Sequence, residues 1–289
     1  MILFETIPEL RQYLKKSRTE GRSIGFVPTM GCLHQGHLAL IQQSASQNDI
    51  TVLSIFLNPT QFSCREDYAK YPRCRDEDIA TAEKAGATIV FAPEENELYP
   101  FGYQTYVDVR ELAKPLCGEP RPGHFVGMAT IVLKLFNIVQ PDSAYFGQKD
   151  YQQSCIVKQM VRDLNLEIDV VCCPTVREDS GLAYSSRNTR LSALEKRRAS
   201  VIYRLLLEAA ERIKEGMEDA SILHSQICRG LEKANMEVEY IEIVDAKSLL
   251  PVDTIQNETL IAVAVFIGTT RLIDNIVIPR IAEDFTESV

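Results

Sequence analysis

The stretch Ile24-Gly-Phe-Val-Pro-Thr-Met-Gly-Cys-Leu-His34-Gln-Gly-His37 runs from an unbroken apolar segment through a glycine-containing turn into a helical pattern. Ile24 to Pro28 reads as a strand, and Gly36 to Gln47 as the helix that follows. Strand, glycine turn and helix in that order open a βα unit, and the chain repeats the pattern to about residue 172. Thr51–Phe56 is a strand buried on both faces, because its apolar run is continuous. A helix over Asp76–Ala85 stops at Gly86, a residue suited to the left-handed position beyond a helix end, and the strand Thr88–Ala92 follows. Beyond an irregular Pro- and Gly-rich stretch come a helix from about Val126 to Val139 and a short strand, Ser143–Phe146. Asp150 stands at the N-cap of a helix over Tyr151–Leu164, and Glu167–Cys172 is the last strand of the series. Five strands with intervening helices predict an α/β fold, a Rossmann-like parallel sheet with helices on both faces.

After Pro174 the character changes. A long helix Ala193–Glu215, N-capped by Ser192, is followed by a helix Ala220–Ala234 and by strand patterns near 238–244, 259–266 and 272–278. That order predicts a smaller C-terminal α+β domain. A chain of 289 residues accommodates two modest domains, expected here as 1–175 and 176–289, with a polar segment around 174–186 joining them.

Composition narrows the function. Hydrophobic residues make up 45% and charged residues 25% of the chain, ordinary values for a globular protein. The net charge is −9 and Lys/Arg runs are short, as at Arg197-Arg198, so neither nucleic acid nor an anionic membrane is an expected partner. The apolar run Leu260–Gly268 is about half the length of a membrane span and reads as a buried strand. The first residues carry an acid at Glu5 and lack a basic leader with a long apolar stretch, so a cytoplasmic protein without a secretory signal is expected. The eight cysteines show neither a CxxC pair nor a zinc spacing, and are expected to be reduced, buried small hydrophobes.

Four polar constellations could carry chemistry. Met30-Gly-Cys-Leu-His34-Gln-Gly-His37 lies between a strand and a helix, where ligands bind in such sheets and where free N–H groups and the helix dipole favour phosphate. His34 and His37, three apart, would then share a face and reach one phosphate chain; two unrelated surface histidines, or a zinc pair lacking a third ligand, are the alternatives. Ser185-Ser-Arg187-Asn188 offers two hydroxyls and a guanidinium as an oxyanion cradle, or is simply a capped loop. Gly147-Gln-Lys149-Asp150 ends a strand: Gly147 would admit close backbone approach, Lys149 would meet phosphate, and Asp150 would accept from ribose hydroxyls or cap the helix. Gln153, one turn on, would suit a polar substrate group. Asn58-Pro-Thr-Gln61-Phe62 offers uncharged amides suited to a hydroxy acid, or is a plain turn. The acidic run Asp76-Glu-Asp78 could hold Mg²⁺ through water, although acids in a first helical turn are favoured by the dipole alone, which is the preferred reading.

Together with Tyr71-Pro-Arg73, Arg121-Pro-Gly-His-Phe125 and Arg271-Leu-Ile-Asp-Asn275, these segments resemble the pantothenate synthetase family, the pantoate–β-alanine ligases, over almost the whole chain. The H-x-G-H motif is shared with the wider nucleotidyltransferase superfamily, whereas Asn-Pro-x-Gln-Phe and Arg-Pro-Gly-His-Phe single out this family. The resemblance implies ATP-dependent condensation through a pantoyl adenylate, with pyrophosphate and then AMP released. It implies that Met30, Gly31, Cys32, Leu33, His34, Gln35, Gly36 and His37 contact ATP, with both histidines on the phosphates. Gly147, Gln148, Lys149 and Asp150 would hold ribose and phosphate, Val176 the adenine by its backbone, and Tyr184, Ser185, Ser186 and Arg187 the triphosphate. Gln61 and Gln153 would hold pantoate, with Asn58 shaping that pocket. His34, His37, Lys149 and Arg187 are the expected catalytic groups, aided by Mg²⁺ whose ligands the sequence does not name. A homodimer and a small domain closing over the ATP site are also implied. Two positions depart from the family pattern: Gln148 where Glu is also expected, and Tyr184 where Leu or Met is common. Another H-x-G-H adenylyltransferase and a non-catalytic ATP sensor are the competing functions.

Overall fold

The computed structural model describes residues 1–279. The chain divides into two compact units, Met1–Val176 with Tyr184–Ser186, and Arg177–Ala183 with the chain from Arg187 onward. Residues 280–289, which belong to the expected 176–289 domain, lie outside the described residues.

In chain order the first unit holds β1 (Ile2–Phe4), α1 (Ile7–Thr19), β2 (Ile24–Thr29), α2 (Gln35–Gln47), β3 (Ile50–Ile55), α3 (Arg65–Lys70), α4 (Arg75–Ala85), β4 (Ile89–Phe91), α5 (Glu95–Leu98), α6 (His124–Val139), β5 (Ser143–Gly147), α7 (Tyr151–Asp163) and β6 (Asp169–Cys173). All strand pairs are parallel, in the order β1-β4-β3-β2-β5-β6. The sheet therefore has six strands rather than five. Strand β1 is three residues long and half-exposed, too short to carry a periodic signal.

Alternation along the strands assigns the two faces. Val27, Leu53, Val90 and Tyr145 pack with Leu40 and Ile41 of α2 and with Ala82 and Ala85 of α4. Phe26 and Phe146 turn the other way and meet the Phe136 ring of α6 edge-on. Helices thus cover both faces, and the strand order reverses between β2 and β5, which are hydrogen-bonded neighbours. Ligands of open parallel sheets bind beyond the carboxyl ends of the strands at such a reversal. Here those ends lead into Met30–His34 on one side and Gln148–Asp150 on the other.

The second unit contains α8 (Ala193–Ala199), α9 (Val201–Lys214), α10 (Ala220–Lys233), β7 (Glu237–Asp245), β8 (Thr259–Ile267) and β9 (Thr270–Ile278). The strands form an antiparallel sheet with the almost wholly buried β8 at its centre. Leu206 and Ile213 of α9 and Leu223, Ile227 and Leu231 of α10 pack with Ile241, Ile243, Ile261, Val263 and Val265. Arg177 makes two hydrogen bonds to the buried Asp274 carboxylate, at 2.6 and 2.9 Å, and its guanidinium lies 3.5 Å from the Tyr203 ring centre, pinning segment 177–183 within this unit. The expected long helix Ala193–Glu215 is two helices. Its start is as expected, with Ser192 and Glu195 forming a reciprocal cap, but Ser200 Oγ bonds back to the Arg197 carbonyl and the helix breaks there.

One close approach in the first unit bears on the site. A Cβ built on Gly127 of α6 would stand 2.2 Å from the Thr60 carbonyl oxygen, so this glycine lets the helix lie directly on the turn Pro59–Gln61. Gly127→Ala is expected to lose about 1–3 kcal/mol of stability, the usual penalty for an overpacked interior. Urea denaturation measures it, and an unchanged midpoint would show that the turn yields freely.

Candidate active site

The loop after β2 is shaped by backbone and by one carboxylate. Gly31 and Cys32 both have left-handed φ, +85° and +53°, which turns successive amides toward one point. That point is occupied by Asp78 of α4, whose Oδ2 and Oδ1 accept from Cys32 N and Leu33 N, each at 2.7 Å. Asp78 is buried, and burial raises its pKa against these two bonds, which lower it. One correction follows. Asp78 lies in the first turn of α4 but makes no cap there; its carboxylate is a backbone clamp on the Cys32 and Leu33 amides.

Beyond the clamp His34 is the N-cap of α2. Its Nδ1 accepts from Gly36 N at 3.2 Å, while His37 Nδ1 accepts from His34 N at 3.3 Å, a reciprocal cap made by two imidazoles. Their rings stack at 4.0 Å. Gly36 is required by the first bond, since a Cβ there would meet the His34 ring at 2.9 Å. Burial, and then the nearby Lys149, lowers the His34 pKa to about 4; burial, and then His34 and Lys149, takes His37 well below the usual imidazole value. Both rings are neutral at pH 7. With each Nδ1 used as an acceptor, the proton sits on Nε2, so each ring offers an uncharged N–H donor.

Across the strand reversal, Gln148–Asp150 forms a short 3₁₀ turn after β5. Lys149 is largely enclosed and lies 3.6 Å from Asp150, close enough to both histidines to depress them. Asp150 occupies the N-cap position of α7 without a capping hydrogen bond, which corrects the expected role. Gly147 has an ordinary extended backbone, and a Cβ on it would meet nothing within 4 Å. The fold itself does not require this glycine.

A second cluster lies at the end of β3. Asn58 Nδ2 donates to Gln61 Oε1 and to the Gly127 carbonyl, while its Oδ1 accepts from Thr60 and Tyr99 hydroxyls. Asn58 is buried and fully used, so it acts by holding Gln61. Gln61 Nε2 reaches Met30 Sδ at 2.9 Å, which brings this cluster to the β2 loop. His124 Nδ1 donates to the Gln61 carbonyl at 2.7 Å and its Nε2 accepts from Arg121. In α7 it is Gln152 that is buried, donating to the Leu112 and Pro115 carbonyls and accepting from Cys117 N. Gln153 is half-buried, and its side chain makes no hydrogen bond to other described residues.

Tyr184–Ser186 belongs to the same unit as these loops. The Tyr184 ring stacks on His34 at 6.2 Å, Tyr184 N donates to the Val176 carbonyl, and Ser186 Oγ pairs with Tyr71 OH at 3.1 Å. The structure therefore joins Met30–His37, Gln61, Lys149 and Tyr184–Ser186 in one unit, while Arg187 belongs to the second. Gln35 is exposed at the start of α2. Asp78, Tyr71 and His124 lie in segments noted from sequence without this positioning role, and Tyr99 was not identified at all.

The cysteines differ from expectation. Only Cys117 and Cys173 are buried; Cys64 is exposed and the rest are intermediate, and none of the eight is in a disulfide.

The family model for pantoate–β-alanine ligase matches residues 2–277. A pantothenate synthetase of Aquifex aeolicus is 52% identical over 276 residues, covering 95% of this chain and 98% of the relative. One from Caldicellulosiruptor saccharolyticus is 50% identical over 279 residues, covering 96% and 99%. Among solved structures, pantothenate synthetase from Thermus thermophilus is similar with TM-score 0.90 at 42% identity, over 96% of this chain and 99% of that one. Pantoate–β-alanine ligase from Francisella tularensis, complexed with β-γ ATP and β-alanine, gives 0.79 at 35% identity over 96% and 97%.

The histidines impose a pH signature. A folded pKa of about 4 for His34 lies below the unfolded value near 6.5, so between them the unfolded chain binds more protons and stability falls as pH falls. Burial and then Lys149 oppose protonation of His34, and Asp150 favours it. His34→Gln is expected to flatten the loss of melting temperature between pH 6.5 and 4.5, read by calorimetry. An identical slope in the variant would contradict the neutral assignment.

Proposed function

The chain belongs to the pantoate–β-alanine ligase family and joins pantoate to β-alanine in an ATP-dependent, amide-forming reaction, and we propose that the loops after β2, β3 and β5 carry the chemistry. The observation that supports this reading most is the apposition, at the strand reversal, of the neutral His34–His37 pair and the enclosed Lys149. Two N–H donors with one cation nearby suit a phosphate chain.

Pantoate is ionised at neutral pH, so its carboxylate attacks the α-phosphorus without a base. The work of the site is alignment and stabilisation of charge on the transferring group and on departing pyrophosphate. His34 and His37 donate through Nε2, Lys149 supplies charge, and Gln61, fixed by Asn58, orients the hydroxy acid with Gln153. Ser185, Ser186 and Arg187 add donors to the triphosphate, and Gly147, Gln148 and Asp150 the ribose contacts. Tyr184, stacked on His34, forms a wall of the adenine side with the Val176 backbone. In the second half-reaction the β-alanine amine attacks the acyl carbon and AMP leaves. His37 is a poor proton acceptor, since its Nδ1 already accepts from His34 N and its pKa is well below neutral. The amine proton goes instead to departing phosphate or to water.

For Mg²⁺ the donor set is informative. Among the described residues no group of three His, Cys, Asp or Glu could hold a metal ion, and Asp78 is committed to the Cys32 and Leu33 amides. These residues do not fit a protein-held ion; we propose that Mg²⁺ enters as part of the Mg–ATP substrate, held mainly by phosphate oxygens. From the family we also propose a cytoplasmic homodimer, tested by mass in solution, and closure of the second unit over the nucleotide, tested by scattering with and without ATP and pantoate.

The primary test is pyrophosphate release. It is expected with ATP, Mg²⁺ and pantoate, becoming multiple-turnover with β-alanine; nucleotide binding without release would indicate a sensor. Lys149→Ala is expected to slow adenylate formation by at least roughly 10²-fold with an unchanged melting temperature. Gly147→Ala should likewise leave stability untouched, because the fold leaves room for the methyl, yet raise KM for ATP. An unaltered KM would place the nucleotide elsewhere.

A further inference from the structure

Cys32 and Cys74 lie far apart in sequence, yet their sulfurs are 4.0 Å apart. The proximity is built in. Asp78 N donates to the Cys74 carbonyl at 2.8 Å, and the Asp78 carboxylate accepts from Cys32 N at 2.7 Å, so one residue holds both backbones. Cys74 stands at the N-cap of α4, and Cys32 in the left-handed turn two residues before His34. Both are partly accessible.

We propose that Cys32 and Cys74 are a modification site for low-molecular-weight disulfides, which close them into a reversible intramolecular disulfide that displaces the loop leading to His34. The inference rests on the reading of that loop as part of the ATP site. Cys74, as thiolate, attacks one sulfur of R–S–S–R; a bond to Cys74 forms, the R–S–S–R bond breaks, and the departing thiolate takes up the proton that Cys74 released. Cys32 then loses its proton to water and attacks Cys74 Sγ, and the second thiolate leaves and is protonated. Two protein thiols lose two electrons and two protons, and the small disulfide becomes two thiols. Burial, and then the neighbouring Cys74, pushes the Cys32 thiol up to about 11, which suits Cys32 to the second, resolving step, where Cys74 Sγ is already held beside it.

Closure shortens the sulfur separation from 4.0 Å to about 2.05 Å. Cys32 is drawn toward the start of α4, and Leu33, sharing the same carboxylate, moves with it. A shift of about 1 Å in a positioning element can cost about 10²-fold in rate, so oxidation should be read plainly in turnover.

The test uses the full chain carrying Cys64→Ser. No Lys or Arg stands between Arg22 and Arg65, so Cys32 and Cys64 share a tryptic peptide and the exposed Cys64 must be removed to assign the link. After incubation with glutathione disulfide and alkylation of remaining thiols, mass spectrometry is expected to show a Cys32–Cys74 peptide pair. Pyrophosphate release should drop by at least about tenfold and return with dithiothreitol. Adding Cys74→Ser should leave basal release intact and protect it from glutathione disulfide. Absence of the linked peptide overturns the proposal, as does a linked protein of unchanged rate, or a Cys74→Ser protein inactivated like its parent. If the reduced protein releases no pyrophosphate at all, the functional reading fails, and calorimetric ATP binding to linked and reduced protein decides this inference by itself.

Discussion

The geometry of the site depends on one buried carboxylate bound to two successive amides. Removing a carboxylate from water is costly unless its oxygens are matched by donors. Asp78 meets that condition with the N–H groups of Cys32 and Leu33, both at 2.7 Å, the short distances of charge-assisted bonds. The bonds also hold a backbone that would otherwise resist its conformation, since Cys32 is a non-glycine residue at φ +53°. Once the turn is fixed, the next residue enters α2 as its N-cap, and the two imidazoles lock each other through their Nδ1 atoms. A carboxylate thus occupies the anion nest of the loop, and the anion-binding groups it leaves for a ligand are the side chains beyond.

The same logic governs the side proposed for pantoate. Gln61 is an uncharged amide on a short turn, and such a side chain is a precise ligand only if something holds it. Asn58 does so with both of its polar ends engaged, and Gly127 removes the methyl that would push α6 off the turn. His124, the first residue of α6, holds the Gln61 backbone carbonyl. The residues proposed to touch substrate are few, and a larger set holds them in place.

Much of this was legible in the chain. The strand–turn–helix opening, the N-cap at Ser192 and the left-handed Gly86 follow local rules that the structure obeys. Less legible were features set by distant partners. Asp76, Glu77 and Asp78 read as one acidic first turn, yet Asp78 shares its helix face with Ala82 and Ala85, both buried. An acid in register with small apolar residues at i+4 and i+7 points inward, and that spacing was the signal available for its role. Strand β1 was too short to show a period. Ser200 breaks a helix whose hydrophobic pattern continues through it, because its hydroxyl takes a backbone carbonyl. Asp150 has the residue type of an N-cap but lies beside Lys149 instead, a competition that sequence spacing does not settle.

A net charge of −9 is at first sight unsuited to a nucleotide triphosphate. At physiological ionic strength, however, charges beyond about 8 Å are strongly screened, so the local set of groups outweighs the global balance. In the first unit, the set proposed for the phosphates is one largely enclosed lysine and neutral N–H donors. Neutral donors have an advantage over further cations here: they stabilise charge as it shifts from carboxylate to pyrophosphate without binding the released anion as tightly. Keeping the imidazoles uncharged requires burial and a nearby lysine, and both come from the placement of the β2 and β5 loops side by side at the strand reversal.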